Sequence, residues 1–343
     1  METKLKYATS RLLILTLLGL LSGCAERQDA NLPGNVLAYL GRVPARGVAY
    51  DVAFANGLAY VADEPFGISI YDLTDPASPV LVDSLALPSP EVRLVSIDSS
   101  GRVLAVENGS LRLFDLQTGA YLMDVGSALN AEVEMIYDGV DLKVYICDRS
   151  YTDGFHYQVF PDTSSSDSLK LGALSYTSGY TTWDPNKILN GFARIANDRV
   201  FVTEDLYGLL LLDLAASNPA AILGEFNTPG ATRDAAASGN LLCLASGYEG
   251  LLIWDITDPV NPSSLAQLAI TNATDIEYVE ISGQRAYLLD TNDGAFAVDI
   301  SNPSNPMLVG QLPTSDPNNF CLAGDLILIA DQDMGLVVGQ ILY

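Results

Sequence analysis

A unit of four short β-rich runs, repeated along most of the chain, restricts the fold more than any other feature of this sequence. Its clearest copy runs from Asp275 to Pro313. It reads Asp275-Ile-Glu-Tyr-Val-Glu-Ile-Ser-Gly283, Gln284-Arg-Ala-Tyr-Leu-Leu-Asp290 and Gly294-Ala-Phe-Ala-Val-Asp-Ile300, then an Asn302-Pro303 turn and Met307-Leu-Val-Gly-Gln-Leu312. Runs of this length separated by turn residues form a small antiparallel sheet. Near-copies occupy Val48–Leu87 and Ala231–Ala269, with worn copies between them. Four strands at a period of roughly 40–45 residues is the period of a propeller blade. The chain is therefore expected to be all-β and to form one closed array rather than the two domains that 343 residues allow.

The ends of the second runs align at Asp63, Glu107, Asp148, Glu204, Ser246, Asp290 and Asp331, at steps of 44, 41, 56, 42, 44 and 41 residues. Seven units follow, with one insertion in the third; six or eight blades are the alternatives. A second set of acids closes the third runs at Asp72, Asp115, Asp213, Asp255 and Asp299, after near-continuous apolar stretches. Such stretches fit strands covered on both faces by neighbouring sheets. Asp75-Pro76, Asn218-Pro219, Asp258-Pro259 and Asn302-Pro303 join third to fourth runs, with proline presetting φ and the Asx side chain bonding nearby backbone. The seventh unit ends at Gly335-Leu-Val-Val-Gly-Gln-Ile-Leu342 without a fourth run, whereas Asn35-Val-Leu-Ala-Tyr-Leu-Gly-Arg-Val-Pro44 resembles the fourth runs elsewhere. The N-terminal strand is expected to complete the last blade and so remove an exposed edge.

Two units carry a recognisable pattern. Gly67-Ile-Ser-Ile-Tyr-Asp72-Leu-Thr-Asp-Pro-Ala-Ser-Pro79 and Gly250-Leu-Leu-Ile-Trp-Asp255-Ile-Thr-Asp-Pro-Val-Asn-Pro262 resemble LVIVD repeats. The resemblance is good in units one, five and six, fair in four and poor in two, three and seven. It implies a β-propeller of a bacterial secreted or surface protein, and brings no settled activity with it.

The N-terminus carries a different message. Lys4, Lys6 and Arg11 precede an apolar run from Leu12 to Leu21, too short to span a bilayer comfortably. It ends in Leu21-Ser22-Gly23-Cys24, which resembles the bacterial lipobox. In that family the cysteine is diacylated, becomes the first mature residue, and carries a third acyl chain in many Gram-negative species. Several chains on one residue anchor stably where one would not. Ala25 after the cysteine, by the same resemblance, implies the outer membrane, with the domain either periplasmic or surface-exposed. Residues 1–23 are thus expected to be a signal peptide, 24–34 a lipidated tether of at most roughly 35 Å, and 35–343 the propeller. Removing Lys4, Lys6 and Arg11 together with Glu2 takes the formal charge from −25 to −27.

That charge excludes nucleic acid, whose phosphates would be repelled, and favours a cationic partner, a metal or a basic protein. The remaining cysteines, Cys147, Cys243 and Cys321, fall in non-adjacent units and are expected to be buried free thiols. The acids ending the second runs (Asp63, Glu107, Asp148, Glu204, Asp290 and Asp331) should ring one face, each capping its own loop by accepting backbone N–H bonds. The third unit departs from the pattern. Arg149–Gly154 and Tyr176–Asn186 read as long loops on that face, the fourth strand lying near Leu169–Ser175, so that Tyr151, Tyr176, Tyr180 and Trp183 form a candidate aromatic patch for a protein or glycan. No catalytic residue is assigned: His156 sits in a strand-like run, and no nucleophile elbow, paired-histidine motif or phosphate loop is present. Asp290–Gly294 and Asp331–Gly335 resemble fragments of calcium loops but lack the remaining ligands, so no metal or cofactor is assigned.

The reading is a lipid-anchored, monomeric, non-catalytic propeller that binds a protein or glycan at the envelope. An envelope-assembly scaffold and a calcium-dependent hydrolase or lactonase are the rival readings. The lipobox makes a direct prediction: Cys24→Ala abolishes metabolic labelling by palmitate and moves the protein from the membrane to the soluble fraction. A wild-type protein that takes up no label would refute the anchor.

Overall fold

A computed structural model describes residues 32, 34–85, 91–98, 100–107, 110–126, 132–149, 154–163, 171, 176–180, 188–196, 198–215, 219–271 and 273–343. They form seven four-stranded antiparallel sheets. The chain enters through β1 (Leu37–Val43) and then builds blade one from β2 (Val48–Ala55), β3 (Leu58–Glu64), β4 (Ile68–Asp72) and β5 (Val80–Leu85). Blade two holds β6 (Leu94–Ile97), β7 (Val103–Glu107), β8 (Leu111–Asp115) and β9 (Tyr121–Gly126). Blade three holds β10 (Glu132–Tyr137), β11 (Asp141–Asp148), β12 (Gly154–Pro161) and β13 (Tyr176–Tyr180). Blade four holds β14 (Phe192–Ile195), β15 (Arg199–Glu204), β16 (Gly208–Asp213) and β17 (Ala221–Phe226). Blade five holds β18 (Asp234–Ser238), β19 (Leu241–Ala245), β20 (Leu251–Asp255) and β21 (Ser263–Leu268). Blade six holds β22 (Ile276–Ser282), β23 (Arg285–Asp290), β24 (Gly294–Asp299) and β25 (Met307–Leu312). Blade seven holds β26 (Pro317–Ala323), β27 (Leu326–Asp331) and β28 (Gly335–Ile341), and β1 supplies its outer strand.

The apolar clusters show why the sheets close into a ring. Each of the seven clusters lies between two consecutive blades, and the last joins blade seven to blade one. Strand β27 illustrates the rule. Ile327 and Ile329 pack against blade six, while Leu328 and Ala330 pack against blade one. With side chains alternating across the pleat, both faces are buried and the run Leu-Ile-Leu-Ile-Ala is apolar throughout.

Closure follows the expected route. Leu37 pairs with Ile341 and Val43 with Leu336, and a bulge between Tyr39 and Gly41 bends the strand. The segment just before β1 also holds blade six: Asn35 donates to Gln311 O at 3.0 Å, and Val36 N–H to Val309 O at 3.1 Å. The third-to-fourth turns close by bonds from Ser78 N–H to Asp75 O, Asn261 N–H to Asp258 O and Asn305 N–H to Asn302 O. Gly294, at φ +97°, opens β24; a Cβ there would lie 2.3 Å from Leu312 O. Only glycine fits so close to the neighbouring backbone.

Blade three corrects the sequence reading. Its outer strand is Tyr176–Tyr180, paired with β12 from Val159 to Phe155, and not the stretch near Leu169–Ser175. The extra length therefore enters largely between the third and fourth strands, where Asp162 bridges Leu171. Polar Tyr-Thr-Ser-Gly-Tyr looked like loop because outermost strands lie at the rim, where neighbouring blades cover their faces least, as the exposed β5 and β9 show.

Leu37 is 1% exposed and joins the cluster between blades six and seven. Leu37→Ala should lower unfolding stability by about 2–5 kcal/mol, measured by denaturant titration, with the loss falling on the ring's closing joint.

Candidate functional site

Three of the second-strand acids, Asp63, Asp290 and Asp331, accept hydrogen bonds from the backbone around them. Asp63 is fully buried and accepts from Gly47 N–H at 2.7 Å, Arg46 N–H at 3.2 Å and the Ser69 hydroxyl at 2.6 Å. Asp290 accepts from Thr274, Asp275, Asn292 and Asp293 N–H at 2.6–3.0 Å. Asp331 repeats this with Ser315, Asp316, Asp333 and Met334. Asp290 and Asp331 thus tie the loop entering their blade to the loop between its second and third strands, and Asp63 ties its entering loop to Ser69 of β4, the local bonding that Asx side chains favour. Ser246 does the same work as a donor, bonding Pro229 O at 2.7 Å. Asp148 and Glu204 are buried as well. Glu107 closes β7, and its side chain lies outside the described residues, as does Cys24.

Two members of the expected aromatic patch fall within the described residues. Tyr176 and Tyr180 lie in β13 rather than in a loop, and Tyr180 packs half-buried against the cluster between blades three and four. Tyr151 and Trp183 lie outside the described residues. His156 is in β12, paired with Ile146. Among the described residues, the exposed rings and large apolar side chains on the loop face are Phe66 in blade one, Leu206 and Tyr207 in blade four, and Tyr248 in blade five, with Leu206 72% and Tyr248 82% exposed. The three described cysteines are free; Cys147 and Cys243 are buried, but Cys321 is only half-buried because it borders the axial cavity.

That cavity, of about 840 Å³, is lined by the first strands of all seven blades. A first strand pairs on one side only, so its inner edge presents N–H groups that need partners. Side chains from neighbouring blades supply them. Asp51 accepts from its own neighbour Val52 N–H at 2.8 Å and from Val95 N–H of blade two at 2.9 Å. Asp234 does likewise with Ala235 N–H at 2.7 Å and Val279 N–H of blade six at 2.9 Å. Asn319 accepts from Phe320 N–H and donates to Asp51 Oδ1 at 2.7 Å, joining blade seven to blade one. Ser96 donates to Val133 O at 2.9 Å, and Arg194 grips Glu134 with both arms of its guanidinium. Glu280 receives the N–H of Leu322, and Glu132 that of Phe192.

Charge in this wall is unbalanced. Burial pushes Asp51 up to about 7, against the pull of its backbone donors and Asn319. Burial, then the neighbouring Asp234, pushes Glu280 up to about 8. Asp234 rises to about 6 through burial, and Glu132 rises well above the usual carboxylate range through burial and the facing Asp234. Those two carboxyls meet beside Gly191, where a Cβ would lie 2.6 Å from Asp234 Oδ1 and 2.7 Å from Glu132 Oε2. Like charges at such range favour one shared proton. Arg149 is the nearby cation, its Nε–H bonded to Asn190 O at 2.8 Å and its guanidinium 5.4 Å from the centre of the Tyr278 ring. Burial followed by Glu280 and Asp51 raises the Cys321 thiol, so it stays protonated.

The sequence reading passed over these residues. They stand opposite the residue before the second-strand terminus in their blades, as Asp51–Ala62, Glu132–Cys147, Asp234–Ala245 and Asn319–Ala330. Tyr278–Leu289 fills the same place in blade six, so no single residue type recurs there. The available signal was an acid at the head of an otherwise apolar first run.

Among the described residues, no group of three or more His, Cys, Asp or Glu side chains is placed to hold a metal ion. Nor does any helix among them have the length and apolarity to cross a membrane.

Seven four-stranded sheets around an axial cavity define a seven-bladed β-propeller. Its blades one, five and six carry LVIVD repeats, matched at residues 46–86, 229–269 and 273–314. No curated protein matches the chain. Among solved structures, the computationally designed Ika8 protein aligns with TM-score 0.62 and 11% identity, over 89% of this chain and 100% of its own. The β-propeller domain of Cps50 (Swd1) from Myceliophteria thermophila aligns with TM-score 0.64 and 12% identity, over 88% and 99%. At such identities the likeness is one of fold alone.

The raised carboxyls fix the sign of a pH effect. Their folded pKa values lie above the usual ones near 4, so the folded state holds more protons than the unfolded chain from about pH 4 to 8. Stability must then decline as pH rises through that window. The melting temperature should be at least ~3 °C lower at pH 9 than at pH 6, and Glu280→Gln should reduce the difference by raising the value at pH 9.

Proposed function

We propose that this protein is a non-catalytic recognition propeller, held to the bacterial outer membrane through lipid on Cys24, whose loop face binds a protein partner. The observation that carries the reading is the exposure of Leu206, Tyr207 and Tyr248 on the second-to-third loops of adjacent blades, with Phe66 on blade one of the same face. Exposed aromatic and large apolar side chains on a rigid scaffold are the raw material of binding hot spots. The strand-end acids beneath them bond backbone N–H groups, which supports a scaffold role for that ring rather than chemistry. A formal charge of −25 draws a basic partner by long-range attraction.

The test is affinity capture from a detergent-solubilised envelope extract with the wild type and with a Leu206→Ser, Tyr248→Ser double variant. Both side chains are exposed, so the melting temperature should stay within ~1–2 °C. A specific partner should be retained by the wild type and reduced at least tenfold by the variant. Equal capture by both, or no specific capture by the wild type, would overturn this assignment of the face.

A further inference from the structure

We infer that the rim formed by the outer strands of blades six, seven and one lies against the lipid surface, so that the propeller stands edge-on and its loop face points sideways, clear of the bilayer. The inference rests on the Cys24 anchor proposed above and adds which side of the domain meets the lipid.

The first observation is where the anchored segment joins the domain. The Asn35 side chain bonds both the N–H and the C=O of Gln311, each at 3.0 Å, and Val36 N–H bonds Val309 O at 3.1 Å. Residues 35 and 36 are thus fastened to the outer strand of blade six, at the circumference and away from the axis. The tether of residues 24–34 reaches at most roughly 35 Å. An anchor attached at the rim brings the rim to the membrane first.

The second is the apolar character of that rim. The backbone of β1 abuts both neighbouring blades. A Cβ on Gly310 of β25 would lie 3.1 Å from Leu37, and one on Gly41 would lie 2.2 Å from Ala77 O of blade one. Along β25, β1 and β5, Met307, Tyr39, Val80, Leu81 and Val82 are between 39% and 59% exposed. Leu342, whose N–H bonds Val36 O at 2.8 Å, is exposed at the foot of the same rim. Isolated exposed apolar residues are ordinary, whereas a run of them along adjoining strands marks a contact surface.

The third is charge. Strands β25 and β1 hold no carboxylate and β5 holds only Asp83, which Arg42 of β1 offsets. Arg42 is the one cation in any of the seven outer strands described. A chain of formal charge −25 is repelled by anionic headgroups, and this rim is neutral. Tyrosine settles at the headgroup level and arginine is drawn to anionic lipid. Because the acyl chains already supply the affinity, the rim has only to supply a preference among orientations of a domain held close by its tether.

The experiment adds one tryptophan at a time to the acylated full chain: Tyr39→Trp on this rim, Ile222→Trp on the opposite rim in β17, and Tyr248→Trp on the loop face. Each protein is bound to vesicles of phosphatidylethanolamine and phosphatidylglycerol in equal parts, with brominated acyl chains as quencher. After subtraction of the wild-type emission, quenching at position 39 should be at least threefold stronger than at 222 or 248. Adding Met307→Glu and Val82→Glu should remove that difference while the chain still floats with the vesicles. Equal quenching at the three positions, or stronger quenching at 222 or 248, in a chain that floats would overturn the orientation alone. A chain that does not float would overturn the anchor and the orientation with it. Should Tyr39→Trp fail to fold, hydrogen exchange of the wild type decides: vesicles should slow exchange in β1, β5 and β25 and leave β17 unchanged, and uniform or absent protection would overturn the proposal.

Discussion

Every β-strand has two edges, and an unpaired edge in protein interior or in water is a liability. The whole architecture answers that single requirement. Along the circumference, sheets cover each other's faces through seven equivalent apolar interfaces. The ring's seam is closed when β1 pairs with β28. Toward the axis no further strand is available, so side chains take over the pairing. Asp51, Asp234, Glu280 and Glu132 reach across to the next blade and bond N–H groups that the ladder leaves open, while Asn319 bonds the N–H of its own neighbour Phe320 and links to Asp51.

This solution has an electrostatic consequence. Carboxylates are good acceptors for edge N–H groups, yet gathering several of them on one axis places like charges in a poorly solvated wall. Backbone donors and Arg149 lower the carboxyl pKa values, and burial outweighs them. The same residues that join the blades therefore hold titratable protons, and joint and cavity are chemically one object. The acids at the second-strand ends differ. Asp290 and Asp331 each accept from four backbone N–H groups at the loop face, so they act as caps.

Much of this was legible in the residues because it repeats. The acids at Asp63, Asp290 and Asp331, the Asx-Pro turns and the glycines opening the third strands recur at one spacing, and a constraint imposed by every blade leaves a periodic trace. Blade three was misread at its outer strand because Tyr176–Tyr180 lacks the apolar pattern that burial on both faces imposes. The channel residues were missed for the opposite reason. Asp51, Glu132, Asp234, Tyr278 and Asn319 share a structural position but not a side chain, so alignment of the units conceals them.

The sequence by itself determined the repeat, its count of seven units and the closing role of the N-terminal strand, because each is written in local spacing and residue type. Only the tertiary structure decided which side chains meet on the axis. Glu132 and Asp234 are about a hundred residues apart in the chain, and they face each other beside Gly191 only once blades three, four and five are in place. Contact between distant residues is a property of ring closure, and no run of neighbouring letters encodes it.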